Sequence, residues 1–245
     1  MIYTFGDGFA AGHIWPEWPQ ILEAITQTPV VNFGHIGAGN EYIFNCVIKA
    51  ALTAKESDLF LVQWADPQRF DKIMEDTRWA DLQQTDPKYK NIKSTVFDQT
   101  WWSTSGSELK EIQKYRNFYI QLEQAMNRSV LYMISASMML KSLNINHKYF
   151  LTYKFDYSIH DNFSELSALP WIDFEGMDEW TANTGIRGDE TQPSSQSQLA
   201  WVENKLLPYC PFNVDNLNKI RYLINNQKFK PYDPDRAQIW SNITN

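Results

Sequence analysis

Residues that could take part in chemistry follow apolar runs typical of strands. Asp7 follows Ile2–Phe5 after one glycine, Gly6, and the glycine-rich stretch Asn32–Asn40 begins at the end of a second apolar run. Asp189 precedes a predicted helix near the C-terminus, with Ser194 at its start. Parallel strands bring such turns to one edge of a sheet, where a hydroxyl, a base and a carboxylate could together support acyl transfer.

Each of these residues also has a structural interpretation. Serines at a helix start are far more often caps than nucleophiles, and a loop histidine is usually a solvated side chain. A relocated serine–histidine pair is therefore the minority interpretation, and its candidates are Ser194, Ser195, His13 and His35. Asp7 and Asp189 could also form the two-carboxylate site of a glycosidase, but a turn aspartate more often binds the backbone of its own turn.

Cofactor and metal sites have no support in the pattern. The glycines of Asn32–Asn40 are in the wrong order for a dinucleotide fingerprint, although glycines before a helix can still hold an anion. The four histidines are dispersed without the paired spacing of a metal site. We expect no cofactor and no metal.

The apolar periodicity predicts alternating strands and helices. Predicted strands at Ile2–Phe5, Val30–Phe33 and Leu59–Val62 alternate with amphipathic stretches, and Tyr149–Tyr153 predicts a fourth strand. This order is typical of a mainly parallel, doubly wound sheet. The predicted fold class is α/β, a three-layer α/β/α sandwich with a flavodoxin-like sheet.

A long insertion separates the third predicted core strand from the fourth. Residues 66–107 lose regular periodicity, apart from a short helix suggested near Phe70–Met74, and predict a functional lid or an interface. Residues 108–143 predict one long helix. The main domain is expected to span 1–210, with 211–245 forming a C-terminal helix and a proline-rich tail on the same domain.

Four stretches resemble, in order, the sequence blocks of the SGNH (GDSL-type) hydrolases. They are Phe5–Gly12, Asn32–Asn40, Asp58–Trp64 and Asp189–Ser194. The resemblance implies the SGNH fold, an oxyanion hole to which a glycine N–H of the second block contributes, and a last block that supplies the catalytic acid and base. The corresponding pocket would be formed by Asp7, Gly39, Asn40 and Trp64.

The sequence departs from the family pattern at the positions of the catalytic residues. Gly8 stands where the family has its nucleophilic serine, Gln192 stands where it has its histidine, and the oxyanion asparagine of the third block is missing. Glycine has no side-chain atom that could attack a carbonyl, and a glutamine amide is no base near neutral pH. Only Asp189 remains of the triad, so the resemblance implies a protein that has lost acyl transfer.

Val62–Trp64 and Asp66–Phe70 are similar to the SGNH-like proteins of tailed, especially marine, bacteriophages. That similarity implies a structural or binding component of a virion, made in the host cytoplasm and associated with other virion proteins or with itself. One alternative is an active esterase or glycan deacetylase with a non-standard nucleophile. A second is a carbohydrate-binding module that uses the tryptophans Trp64, Trp79, Trp101 and Trp102.

Composition excludes several other classes. The 22 basic and 29 acidic residues give a net charge of −7, which disfavours binding to the phosphate backbone of nucleic acids. The longest apolar stretch is shorter than the roughly 18 residues of a membrane span, and the first residues lack the basic start of a signal peptide. Two distant cysteines, Cys46 and Cys210, predict reduced thiols rather than a disulfide framework.

Overall fold

A computed structural model describes residues 1–10, 16–35, 37–69, 71–74, 100–103, 122–157, 163–183, 187–189 and 192–226. The strands in these ranges are β1 (Ile2–Phe5), β2 (Val30–Asn32), β3 (Leu59–Trp64), β4 (Asp71–Met74), β5 (Thr100–Ser103), β6 (Asn146–Leu151), β7 (Trp171–Asp173), β8 (Arg187–Asp189) and β9 (Gln192–Pro193). The helices are α1 (Trp18–Thr26), α2 (Asn40–Ala51), α3 (Leu122–Ser142), α4 (Phe163–Ser167), α5 (Met177–Asn183), α6 (Ser195–Trp201) and α7 (Leu217–Asn226).

Five parallel strands form the central sheet in the order β2-β1-β3-β6-β7. Counted along the chain, this is the 2-1-3-4-5 order of flavodoxin-like folds, and it confirms the predicted α/β class. The strand order reverses between β1 and β3. In open sheets of this kind, ligands bind outside the carboxyl ends of the strands at that reversal.

The sheet is buried on both faces. All six residues of β3 are buried; Phe60, Val62 and Trp64 pack against α2 and α3, whereas Leu59 and Leu61 point to the other face. On that other face α1, α6 and α7 complete a second core, which includes Ile220 and Ile224 of the C-terminal helix. The alternation of β3 residues between two apolar layers is what makes its sequence a continuous hydrophobic run.

The long helix of the chain is present as α3 over Leu122–Ser142, while residues 108–121 of its predicted span lie outside the described residues. Its buried side recurs at helical spacing, through Met126, Val130, Met133 and Leu140. Leu122, the first residue of α3, is 49% exposed.

The short helix predicted near Phe70–Met74 is wrong. Asp71–Met74 is the strand β4, and it pairs antiparallel with β5 in a separate two-stranded sheet. The reason is tertiary: β5 supplies the backbone partners from about thirty residues away, and local periodicity carries no trace of that pairing. The predicted proline-rich tail from 227 onward lies outside the described residues.

Candidate functional site

The turn after β1 is shaped by its aspartate. Asp7 is wholly buried; its Oδ1 accepts the N–H of Phe9 at 3.0 Å, and its carbonyl accepts the N–H of Ala10 at 2.9 Å. Asp7 thus binds the backbone of its own turn, as expected from the sequence. Gly8 lies buried in the middle of this turn and offers no side-chain atom to a substrate.

The second oxygen of Asp7, which is fully buried, forms an ion pair with the partly buried Arg69. The Arg69 Nη1 donates to Asp7 Oδ2 at 2.6 Å and to the carbonyl of Ala38 at 3.2 Å, so one guanidinium joins the loops that follow β1, β2 and β3. The Arg69 side chain is only 16% exposed, and its guanidinium carbon lies 6.0 Å from the centre of the Tyr153 ring. Removing one partner of such a pair would leave an uncompensated buried charge.

Tyr153 completes this cluster from the end of β6. Burial raises the pKa of its hydroxyl to about 12, and the negative charge of Asp7 adds to the shift. The phenol is therefore neutral at physiological pH and is not a base. Its ring packs edge-on against Phe9, which lies in the β1 turn.

Asp71, the first residue of β4, binds the N-terminus of α2. Its Oδ1 accepts the N–H of Gly39 and its Oδ2 accepts the N–H of Tyr42, each at 2.8 Å. The carboxylate compensates the positive end of the helix dipole and satisfies two N–H groups that no helical carbonyl can reach. Burial raises the pKa of Asp71 to about 6, although the two N–H groups favour its charged form.

Gly39 is required by this contact. A Cβ atom built on Gly39 would lie 2.7 Å from Asp71 Oδ2 and 3.0 Å from the carbonyl oxygen of Arg69. The backbone of Gly39 is extended, with φ −99°, so the restriction comes from the close approach of Asp71 rather than from backbone strain. The carboxylate is thus in van der Waals contact with the glycine that the family resemblance places in the oxyanion hole.

Two residues of the expected pocket belong to the core. Trp64 has no exposed surface and packs edge-on against Tyr149, so it cannot line a surface groove. The Asn40 side chain is buried, where it donates to the Ala65 carbonyl and to Ser129 Oγ and accepts the Ala65 N–H. These bonds fasten α2 to the end of β3 and to α3, because the side chain offers a donor and an acceptor where both are needed.

The stretch that resembles the last family block contains a short antiparallel ladder of β8 and β9. Asp189 in β8 lies opposite Gln192 in β9, so the backbone brings the expected acid and base positions together. Ser194 caps α6, since its Oγ accepts the N–H of Ser197 at 3.1 Å, and this agrees with the cap interpretation. The hydroxyl of Ser195 is buried, with no hydrogen-bond partner among the described residues.

Of the candidate histidines, His35 lies after β2 and is half-buried. Its ring centre lies 5.4 Å from that of Tyr42, and its backbone N–H donates to the Gly6 carbonyl at 3.1 Å. His13 lies outside the described residues, as does Trp79. Trp101 and Trp102 are in β5, which pairs with β4 in the two-stranded sheet.

A serine–histidine pair that sequence reasoning missed joins α3 to β6. Ser137 Oγ and His147 Nε2 are 3.0 Å apart, and His147 Nδ1 lies 2.9 Å from the carbonyl of Ile145, which can only accept. Burial lowers the pKa of His147, so the neutral ring donates from Nδ1 and accepts the serine hydroxyl at Nε2. Ser137 is completely buried, so no substrate can reach it, and the pair acts in packing.

Sequence reasoning also gave no role to Arg69 and Asp71. The available signal was their position, since both residues follow the carboxyl end of the wholly buried central strand β3, where ligands bind in sheets of this kind.

Within the described part of the chain, no group of three or more His, Cys, Asp or Glu side chains could hold a metal ion. Among the helices described, none has both the length and the hydropathy that a membrane span requires.

Comparison with protein-family models and with curated proteins finds no match to this chain. Among solved structures, the chain is similar to the protein YxiM from Bacillus subtilis, with 12% identity and a TM-score of 0.35, over 100% of this chain and 54% of that one. The chain therefore spans about half the length of that structure. The fold is assigned from the strand order and register of the five-stranded sheet.

Proposed function

We propose that this chain is an SGNH-hydrolase-like protein that has lost acyl transfer and acts by binding or assembly. The observation that carries the proposal is the Asp71 carboxylate at the N-terminus of α2. It accepts the N–H of Gly39, which in an active relative would be open to the substrate oxygen. Here the donor is already used by an anion of the same chain.

An oxyanion at this position would meet a like charge. Acyl transfer requires preorganised donors around the oxygen that becomes negative in the transition state. Two like charges about 4 Å apart repel by roughly 4 kcal/mol at the effective dielectric of a protein surface. A carboxylate beside the developing oxyanion therefore opposes the charge that an active site has to stabilise.

The turn after β1 and its contact with Arg69 support the same proposal. Gly8 provides no nucleophilic atom. Asp7 is engaged by the Phe9 N–H and by Arg69, which leaves it poorly suited to act as a general acid or base. Arg69 also holds the Ala38 carbonyl, so the edge between β1 and β3 is held together by internal contacts.

The finer assignment is a structural or binding component of a tailed-phage virion. It rests on the similarity of Val62–Trp64 and Asp66–Phe70 to phage-encoded relatives. Its partners would be other virion proteins or further copies of the chain. Mass spectrometry of purified particles from the encoding phage should find the chain at constant copy number, and its absence from such particles would reject the virion assignment.

The loss of acyl transfer is tested with short-chain p-nitrophenyl esters. We expect release of p-nitrophenol at the rate of buffer alone, with no difference between the native chain and its Asp189→Ala variant. Asp189→Ala is the matched control because Asp189 is the one residue of the triad pattern that remains. Turnover that copurifies with the native chain and disappears in Asp189→Ala would overturn the proposal and favour an active esterase.

A further inference from the structure

The outward face of α3 carries a stripe of exposed, uncharged side chains, bordered by the half-buried Arg128, which lies four residues from Gln124 and three from Leu131. Helical spacing of three and four residues places its exposed side chains in one line, and these are Gln124, Asn127, Leu131, Ser135 and Met138. Leu131 is 57% exposed and Met138 is 67% exposed. At about 1.5 Å per residue, the line extends for roughly 20 Å. Two large apolar side chains on the exposed face of a helix favour contact with a second helix over contact with water.

Charges of opposite sign lie at the two ends of this stripe. Glu123 is exposed in the first turn of α3, and Lys141 is exposed in the last. Their separation of 18 residues equals five full turns at 3.6 residues per turn, so both lie along the same edge of the helix. The helix is therefore acidic at one end of this edge, basic at the other, and uncharged between.

We propose that a second copy of this chain docks on the stripe, with the two α3 helices antiparallel about a two-fold axis near Tyr132. Tyr132 is midway between Glu123 and Lys141, so the axis brings each Glu123 level with Lys141 of the partner subunit, on the same side of the helix pair. The two Leu131 side chains then face each other close to the axis. A parallel pair would instead set Glu123 level with the partner's Glu123.

Charge complementarity selects this occupant and this orientation. The chain has a net charge of −7, so two copies repel unless they meet at a surface with little negative charge. The stripe is such a surface, and antiparallel docking adds two opposite-charge contacts related by symmetry. The small side chain of Ser135 lets the helices approach closely near the axis.

The dimer is independent of the proposed function, since a chain that cleaved esters could form it equally well. It is tested by analytical ultracentrifugation over a range of concentrations. We expect a species of twice the 28.7 kDa chain mass for the native protein. Leu131→Glu should raise the dimer dissociation constant by about a hundredfold, because it buries a charge at the centre of the interface.

A charge exchange tests the orientation. Glu123→Lys and Lys141→Glu should each raise the dissociation constant by about tenfold, and the double variant should restore the native value. Tyr222→Glu is the matched control, because Tyr222 is 69% exposed on α7 and should leave the dimer unchanged. A native chain that stays monomeric, a dimer that survives Leu131→Glu, or a double variant no better than the single ones would each overturn the proposal.

Discussion

At the scale of single residues, the contact between Gly39 and Asp71 has the largest consequences. The N–H of Gly39 is 2.8 Å from Asp71 Oδ1, and the space where a side chain of residue 39 would begin is filled by Asp71 Oδ2. One carboxylate therefore takes the donor and also occupies the space beside it. Any ligand that needs this donor has to displace Asp71 first.

Gly39→Ala should destabilise the protein by about 1–3 kcal/mol, because the new methyl group overpacks the contact with Asp71 and the Arg69 carbonyl. Urea denaturation of the native chain and the variant measures the difference. The control is the same change in an Asp71→Ala background, where the carboxylate is absent and the cost should be smaller. Equal costs in the two backgrounds would mean that Asp71 does not fill this space.

Some of these residues could be predicted from the sequence and some could not. Asp7 was predicted to bind its own turn and Ser194 to cap a helix, because both interactions are local and depend on residue type. Trp64 was expected at a pocket and lies in the core, since its exposure depends on neighbours from β6. The contacts of Asp71 with α2 cross some thirty residues of sequence, a separation that no local pattern reveals.

At the scale of elements, the ionisable side chain of Asp71 connects the strand β4 to the N-terminus of the helix α2. Asp71 begins β4, and its carboxylate is held at the N-terminus of α2 by two N–H groups. Further charges act on it: Glu41 of α2 raises its pKa, and Arg69 of the loop after β3 lowers it. Among the described residues, Asp71 also raises the pKa values of Cys46 of α2 and Tyr132 of α3. The contribution of this contact between β4 and α2 to the free energy of unfolding should therefore depend on pH.

The sign of this dependence follows from the raised pKa. Asp71 titrates at about 6 in the fold and near 3.9 in the unfolded chain, so its contribution to stability is full below about pH 4 and is lost as the pH rises through 6. Relative to Asp71→Asn, the native chain should lose on the order of 2–3 kcal/mol of unfolding free energy between pH 4 and pH 7. Urea denaturation at several pH values measures this difference.

The control for the loss of one charge is Glu56→Gln, which removes a carboxylate from the surface. A difference between native and Asp71→Asn that stays constant with pH, or that grows more favourable to the native chain as the pH rises, would contradict the assigned environment of Asp71.

At the scale of the whole molecule, the alternating strands and helices were predictable because each element buries its own apolar pattern. The burial of β3 on both faces follows from the continuous hydrophobic run Leu59–Val62, and the observed order 2-1-3-4-5 places that strand at the centre of the sheet. The two-stranded sheet of β4 and β5 was not predictable, since its pairing is long-range. The alternation of strands and helices thus follows from local patterns, whereas the contact of Asp71 with Gly39 joins residues distant in sequence.

The measurement that tests the loss of acyl transfer most directly is covalent trapping. The native chain is incubated with a fluorophosphonate probe, which reacts with activated serine hydroxyls, beside an active serine hydrolase as the positive control. Intact-mass spectrometry should show the chain at its unreacted mass while the control is fully labelled. A chain that gains one phosphonyl group, mapped to Ser194, Ser195 or any other serine, would contradict the account.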